Sequence, residues 1–190
     1  MKICFIPIDN RPVCYNLAIN IASIDESIEF FVPPREYLGS LKDNAKANDI
    51  LAWLKSIPKC DAIILSLDTI AYGGLIPSRR STETFEDIKL RIENLKEILL
   101  KKEAEIYAFS SIMRISNNNY NEEEKEYWKD YGKLIFSYSY NYHKEKLQKS
   151  SNDIPEDILI DYLKTRERNF KINKTYLDWQ KEGLFNTLIF

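Results

Sequence analysis

Residues 84–110, TFEDIKLRIENLKEILLKKEAEIYAFS, decide the fold class. Thr84-Phe85-Glu86-Asp87 has the pattern of a capping box, and Phe85, Ile88, Ile92, Leu95 and Leu99 then recur every three or four residues, so they share one face of a helix. Residues 105–110 follow as a short strand, and the apolar run Asp61–Leu67 before the helix reads as another. A strand, a helix long enough for a crossover and a second strand make a parallel βαβ unit.

The same pattern extends towards the amino terminus. Lys2–Ile8 is a short, apolar, β-branched run of the kind found in a buried strand. Pro12 suits a first helical turn, and Val13, Leu17, Ile21 and Ile24 are expected to form that helix's buried face. Ile28–Val32 reads as the next strand and stops at Pro33-Pro34; a helix from about Asn44 then buries Ile50, Leu51, Leu54 and Ile57. Four strands alternating with three helices predict a mainly parallel α/β sheet, either a Rossmann-like open sheet or part of a (β/α) barrel. Strand order is not encoded in the periodicity.

Towards the carboxyl terminus, Asn117-Asn118-Asn119 reads as a polar loop. Asn121 with Glu124 is expected to cap a long helix carrying Trp128, Tyr131, Ile135, Tyr138 and Tyr142. Lys144–Asp153 reads as a polar linker, Asp153-Ile154-Pro155-Glu156 starts a last helix running to about Gly183, and Leu184–Phe190 is a fifth strand. The expectation is one α/β domain over residues 1–190, with a core at 1–116, a helical part at 120–183 and a final strand at 184–190.

Composition narrows the function classes. Of 190 residues, 44% are apolar and 13% aromatic, enough for a packed core rather than a disordered chain. The formal charge of −2 provides no sequence-wide field to recruit nucleic acid or an anionic membrane. No stretch approaches the roughly 20 apolar residues of a membrane span, so a cytoplasmic setting is expected. Cys4, Cys14 and Cys60 are odd in number and form no CxxC, which fits a reducing compartment. His143 is the single histidine, which disfavours a His-based zinc site or a Ser-His-Asp triad. GxGxxG, Walker and GxSxG patterns do not occur, and the sequence names no cofactor and no metal ligands.

In parallel sheets ligands gather outside the carboxyl ends of the strands, where loops converge. That rule selects Asp9 and Arg11 after the first strand, Arg35 and Tyr37 after the second, Asp68, Tyr72, Arg79 and Arg80 after the third and Arg114 after the fourth. Asp9 and Asp68 can divide acid and base roles, while Arg11, Arg79 and Arg114 can clamp an anion or sugar hydroxyls. Equally, an Asp after a strand caps helices and an Arg pairs with it. Gly73 and Gly74, adjacent in a chain with only five glycines, suit either a backbone close to a ligand or a tight turn. On the last helix Arg166, Asn169 and Asn173 interrupt an apolar stripe and must either form a buried polar network or reach into the site. Arg168 is expected to point into solvent.

The stretch Phe5–Pro12 (FIPIDNRP), the stretch Ser66–Arg79 (SLDTIAYGGLIPSR), Met113-Arg114 and the spacing Arg166, Arg168, Asn169, Asn173 together resemble the bacterial proteins grouped as domain of unknown function 4127. Ile8 and Thr69 stand where Leu and Met are commoner. The resemblance implies that Asp9, Arg11, Asp68, Tyr72, Arg79 and Arg114 belong to the site. It also implies a longer protein, in which a pair of acidic residues follows a strand like Leu184–Phe190. The expectation is then an amino-terminal fragment whose final strand is covered by the remaining portion or by another chain.

The functional expectation is a hydrolase-like enzyme, or its fragment, acting on a polar, carbohydrate-like or anionic small molecule. Asp9 and Asp68 would be its carboxyl groups; Arg11, Tyr72, Gly73, Gly74, Arg79, Arg114, Arg166, Asn169 and Asn173 would contact the ligand. The alternatives are a binding domain without turnover and an inactive remnant.

Overall fold

The computed structural model describes residues 1–145 and 153–190. The chain runs β1 (Lys2–Ile6), α1 (Pro12–Ala22), β2 (Glu29–Phe31), a 3-10 turn (Arg35–Tyr37), α2 (Ala47–Ser56) and β3 (Ala62–Ser66). It continues through α3 (Leu67–Tyr72), α4 (Pro77–Arg80), α5 (Phe85–Leu99), β4 (Glu105–Phe109), α6 (Trp128–Glu145), α7 (Glu156–Lys181) and β5 (Thr187–Ile189). The polar linker expected at 144–153 lies mostly outside the described residues.

All five strands are parallel, in the order β2-β1-β3-β4-β5. A barrel keeps its strands in chain order, so this order selects the open, doubly wound alternative. The chain leaves β1 for β2 on one side and later proceeds through β3, β4 and β5 on the other. The topological switch therefore lies between β1 and β3, where Ile6 pairs with Leu65.

The capping box that opened the sequence reading is present: Thr84 accepts from the Asp87 amide, and Asp87 accepts from the Thr84 amide at 3.1 Å. The α5 residues Ile88, Ile92, Leu95 and Leu99 are buried, with α2 residues Ile50, Leu51 and Leu54, against the sheet face formed by Cys4, Ile6, Ile63, Leu65, Ile106 and Ala108. Ile172, Tyr176 and Trp179 of α7 complete this core. A second cluster joins Trp128 and Ile135 of α6 to Ile154 and to Leu159 and Tyr162 of α7.

Four expectations need correction. The stripe Val13, Leu17, Ile21 and Ile24 faces outward, with Val13 64% and Ile24 82% exposed, because the inward side of α1 is instead made by Cys14, Tyr15, Ala18, Ile19 and Ala22. That side mixes small and large residues, which blurs its period in the sequence. The helix expected to be capped by Asn121 and Glu124 begins only at Trp128; the residues before it form turns. The strand expected at Asp61–Leu67 stops at Ser66, and Leu67 already belongs to α3, a helix buried on every side and capped by Ser66. Arg168 is buried rather than solvated. No described helix is long and apolar enough to cross a membrane.

Candidate functional site

The loop after β1 is built around Asp9. Oδ1 accepts from the Arg11 amide at 3.1 Å, and Oδ2 receives Arg11 Nε at 2.9 Å and Nη2 at 2.7 Å. Burial alone would raise the Asp9 pKa, but the hydrogen bonds from Arg11 outweigh it and hold the carboxyl below its usual range. Asp9 is therefore ionised and already paired.

Asp68 sits in the first turn of α3 at the neighbouring strand end, 1% exposed. Its Oδ2 accepts from the Ser111 amide at 2.8 Å, and its Oδ1 lies 3.3 Å from Ser110 Oγ. Burial pushes its pKa up to about 6, against the pull of the Ser111 and Ser110 hydrogen bonds. Ser110 Oγ also lies 3.0 Å from Asn173 Oδ1, and Asn173 Nδ2 donates to the Ser111 carbonyl at 3.2 Å. That carbonyl fixes which end of the amide faces it, so Asn173 Oδ1 must accept from Ser110. One hydroxyl hydrogen cannot serve both Asn173 and an ionised Asp68. The ring closes fully when Asp68 carries a proton, donates it to Ser110, and Ser110 donates onward to Asn173. Donor counting and burial agree.

The predicted glycines shape the backbone at the switch point. Gly73, at φ +89°, ends α3 in the left-handed conformation, and Gly74 follows at φ +135°. A Cβ on Gly73 would meet Asn44 at 2.8 Å and the Ala45 amide at 2.9 Å; one on Gly74 would stand 3.2 Å from the Ile8 carbonyl. Gly39 is tighter still, its Cβ position lying 2.4 Å from the Gly73 carbonyl. Asn10 donates to the Gly39 carbonyl at 2.9 Å, Ala45 to that of Gly73 at 2.9 Å, and Thr69 Oγ1 to that of Pro7 at 2.7 Å. The loops after β1, β2 and β3 interlock through main chain, so in this structure the glycines serve close packing. Tyr72 is likewise interior: its ring lies beneath the Arg168 guanidinium at 5.4 Å, its hydroxyl has no hydrogen-bond partner among the described residues, and it lines a separate cavity of about 220 Å³ with Asn44, Asn48, Glu83 and Arg91.

Three of the arginines converge on the turns at 121–127, the segment expected to cap α6. Arg79, buried, donates through Nη1 to Glu124 at 2.8 Å and lies 3.4 Å from Glu123. Arg114, 60% exposed, donates to Glu123 at 2.6 Å. Arg80 donates to the Glu124 carbonyl at 2.7 Å, and Ser116 Oγ donates to the Glu124 carboxylate at 3.3 Å. Arg35 crosses instead to the Asn10 carbonyl at 2.7 Å and stacks over Tyr15.

On α7, Arg166 reaches the Met113 carbonyl at 3.0 Å, and Asn169 donates to the Ser78 carbonyl at 2.9 Å while accepting from Arg168 at 3.0 and 3.1 Å. Arg168 is spent on the carbonyls of Ser78, Ser81 and Glu83 at 2.7–3.0 Å, which the turns around α4 leave without helical partners. Arg166, Asn169 and Asn173 also line an apolar groove of about 510 Å³, walled by Met113, Phe170 and Leu177. Asn173 thus joins the groove to the Asp68 ring. Among the described residues no three His, Cys, Asp or Glu side chains converge as a metal site requires.

The model of a family described as proteins of unknown function (DUF4127) matches residues 3–190. The chain belongs to the DUF4127 family. No curated protein and no solved structure matches it. In this DUF4127 chain, the strand-end residues Asp9, Arg11, Asp68, Arg79 and Arg114 gather on one end of the sheet, with Arg166, Asn169 and Asn173 along the adjoining groove. Tyr72, Gly73 and Gly74 lie behind them. Sequence reasoning missed Ser110, Ser111, Glu123 and Glu124. Glu124 could have been flagged as one acid of the run Glu122–Glu124 available to the strand-end arginines Arg79, Arg80 and Arg114, but its burial at 3% depends on a loop path that no periodicity encodes.

Proposed function

We propose that this DUF4127 chain is a hydrolase-like enzyme, or the part of one that bears its acid–base carboxyls, acting on a polar, carbohydrate-like or anionic small molecule. What supports this is the opposite treatment of two carboxyls at adjacent strand ends: Asp9 is held ionised by Arg11, while Asp68 is buried in a ring that accommodates its proton. Environments that drive two acids apart are how one site assigns acid and base roles. Asp68 is the proton donor: Ser110 Oγ passes its hydrogen to the leaving-group oxygen as it takes the Asp68 proton, which leaves Asp68 ionised and the leaving group neutral, and Asn173 holds the Ser110 hydroxyl at the groove wall. Asp9 is the charged partner. Arg11, Arg79 and Arg114 orient anionic or hydroxyl groups, and Arg166 and Asn169 contact the substrate from α7. A cytoplasmic setting fits the three free thiols of Cys4, Cys14 and Cys60.

The test is hydrolysis of a panel of chromogenic aryl glycosides and aryl phosphates by the wild type, Asp68→Asn and Asp9→Asn. The expected result is a cleaved substrate and a loss of about 100-fold or more in kcat for Asp68→Asn, within the range general acid catalysis supplies. Unchanged turnover in both variants rejects the assignment. The enclosure of Asp68, 1% exposed, favours a second reading, a binding domain without turnover. Calorimetric binding that survives both substitutions, with no product formed, selects that one.

A further inference from the structure

The acidic segment over the strand ends is attached unequally. Glu124 and Arg79 are a buried pair, their side chains 5% and 4% exposed, reinforced by Ser116 and by Arg80 on the Glu124 carbonyl. Separating such a pair strands a charge in the interior, so Glu124 is a fixed anchor. Glu123 differs. Its side chain is 35% exposed, its bond to Arg114 is to a side chain 60% exposed, and its contact with Arg79 is long at 3.4 Å. Arg11, on the loop after β1, is also close enough for the Glu123 charge to favour its protonated form, after the larger effects of Asp9, burial and Cys14. Two guanidinium groups from two strand-end segments, Arg79 and Arg114, therefore bind one loosely held carboxylate whose charge a third, Arg11, also senses, at the end of the sheet where parallel folds bind ligands.

We propose that the Glu123 carboxylate holds the place of an oxyanion group of the ligand, a carboxylate or phosphate, and that the ligand displaces it from Arg114 and Arg79 while Glu124 keeps the segment tethered. This rests on reading the strand ends as a ligand site and adds to it the class of group recognised. The guanidinium fork suits either oxyanion. Exchange is feasible because an exposed ion pair is weak and screened, whereas a ligand bound beside buried Arg79 gains a partner that is already oriented.

The test is titration of the full chain with inorganic phosphate and, separately, malonate, at constant ionic strength, by calorimetry. Removing the competitor in Glu123→Gln is expected to tighten binding roughly fivefold, the factor by which an exposed ion pair favours its closed state. Glu122→Gln, an equal charge change at an exposed neighbouring position, is expected to leave binding within about twofold. Adding Arg114→Gln to Glu123→Gln is expected to abolish the gain. Preference for phosphate or malonate identifies the oxyanion. Equal tightening by Glu122→Gln and Glu123→Gln, no tightening by Glu123→Gln, or a gain that survives Arg114→Gln overturns the proposal. None of these outcomes depends on turnover, so they leave the Asp68 and Asp9 activity test to stand or fall separately.

Discussion

Replacing Asp68 by Asn should stabilise the protein above neutral pH. In the folded chain the Asp68 pKa rises from its ordinary 3.8 to about 6, chiefly through burial. The folded state then holds the proton more tightly than the unfolded one, so the stability contributed by protonation is complete below pH 3.8 and is lost as the pH rises through 6. At about 1.4 kcal/mol per pH unit, the wild type carries a burden of about 3 kcal/mol at pH 8. Asn is nearly isosteric with the protonated acid. Its Oδ1 can accept from the Ser111 amide and its Nδ2 can donate to Ser110, which leaves the Ser110 hydrogen for Asn173. The assay is thermal unfolding of both proteins at pH 4 and pH 8. Comparison at each pH cancels the other titrating groups. The expected Tm difference is near zero at pH 4 and roughly 6–12 °C in favour of the variant at pH 8, from about 2–4 °C per kcal/mol at this chain length. A variant destabilised equally at both pH values refutes the claim that Asp68 is neutral in its ring.

Asp9 should behave in the opposite sense: held below its usual range by Arg11, it contributes stability above about pH 4 that is lost in stronger acid, and NMR titration should place its pKa on the other side of 3.8 from that of Asp68. Glu124→Gln should cost about 3–5 kcal/mol in denaturant unfolding by leaving Arg79 without its buried partner, whereas Glu123→Gln should cost under about 1 kcal/mol. Gly39→Ala should cost about 2 kcal/mol or more, because the new Cβ meets the Gly73 and Asp43 carbonyls at 2.4 and 2.6 Å, while Gly183→Ala, with open space around it, should cost only the roughly 1–2 kcal/mol of its left-handed backbone. Tyr176→Phe removes a buried hydroxyl that has no hydrogen-bond partner among the described residues and should be neutral or stabilising by up to about 2 kcal/mol, measured in the same unfolding assay.

The parallel α/β class was legible because β-branched runs and the α5 period are strong local signals, sharpened by the Thr84 cap. Strand order was not, since pairing partners leave no trace in periodicity. Errors came where packing overrode pattern. The apolar run of β3 reads on through Leu67, which instead opens α3; the switch from strand to helix is marked by the Ser66 cap and Gly73. On α1 the regular stripe Val13, Leu17, Ile21 stays outside, and the inward side is a mix of Cys14, Tyr15, Ala18, Ile19 and Ala22. Arg168 looked like a surface residue because its acceptors, three backbone carbonyls of residues 78–83, are invisible at the level of side-chain chemistry. The strand-end rule found Asp9, Asp68, Arg79 and Arg114 from topology alone. Their partners Glu123, Glu124, Ser110 and Asn173 come from distant segments, and only the tertiary structure brings them together.

The glycine junction has a mechanical consequence. Residues 7–11, 38–45 and 69–74 touch backbone to backbone, with no side chain between Gly39 and Gly73 able to swing aside. Among the described residues, the segments beyond β4 are tied to this side of the sheet end through side chains: the Asp68 carboxyl to Ser110 and Ser111, and Arg79 to Glu123 and Glu124. The end of the sheet is thus divided into an anvil and a jaw. Any closure on a ligand is a movement of the jaw, and the anvil supplies the fixed reference, Asp9 and Asp68 included, against which it shuts.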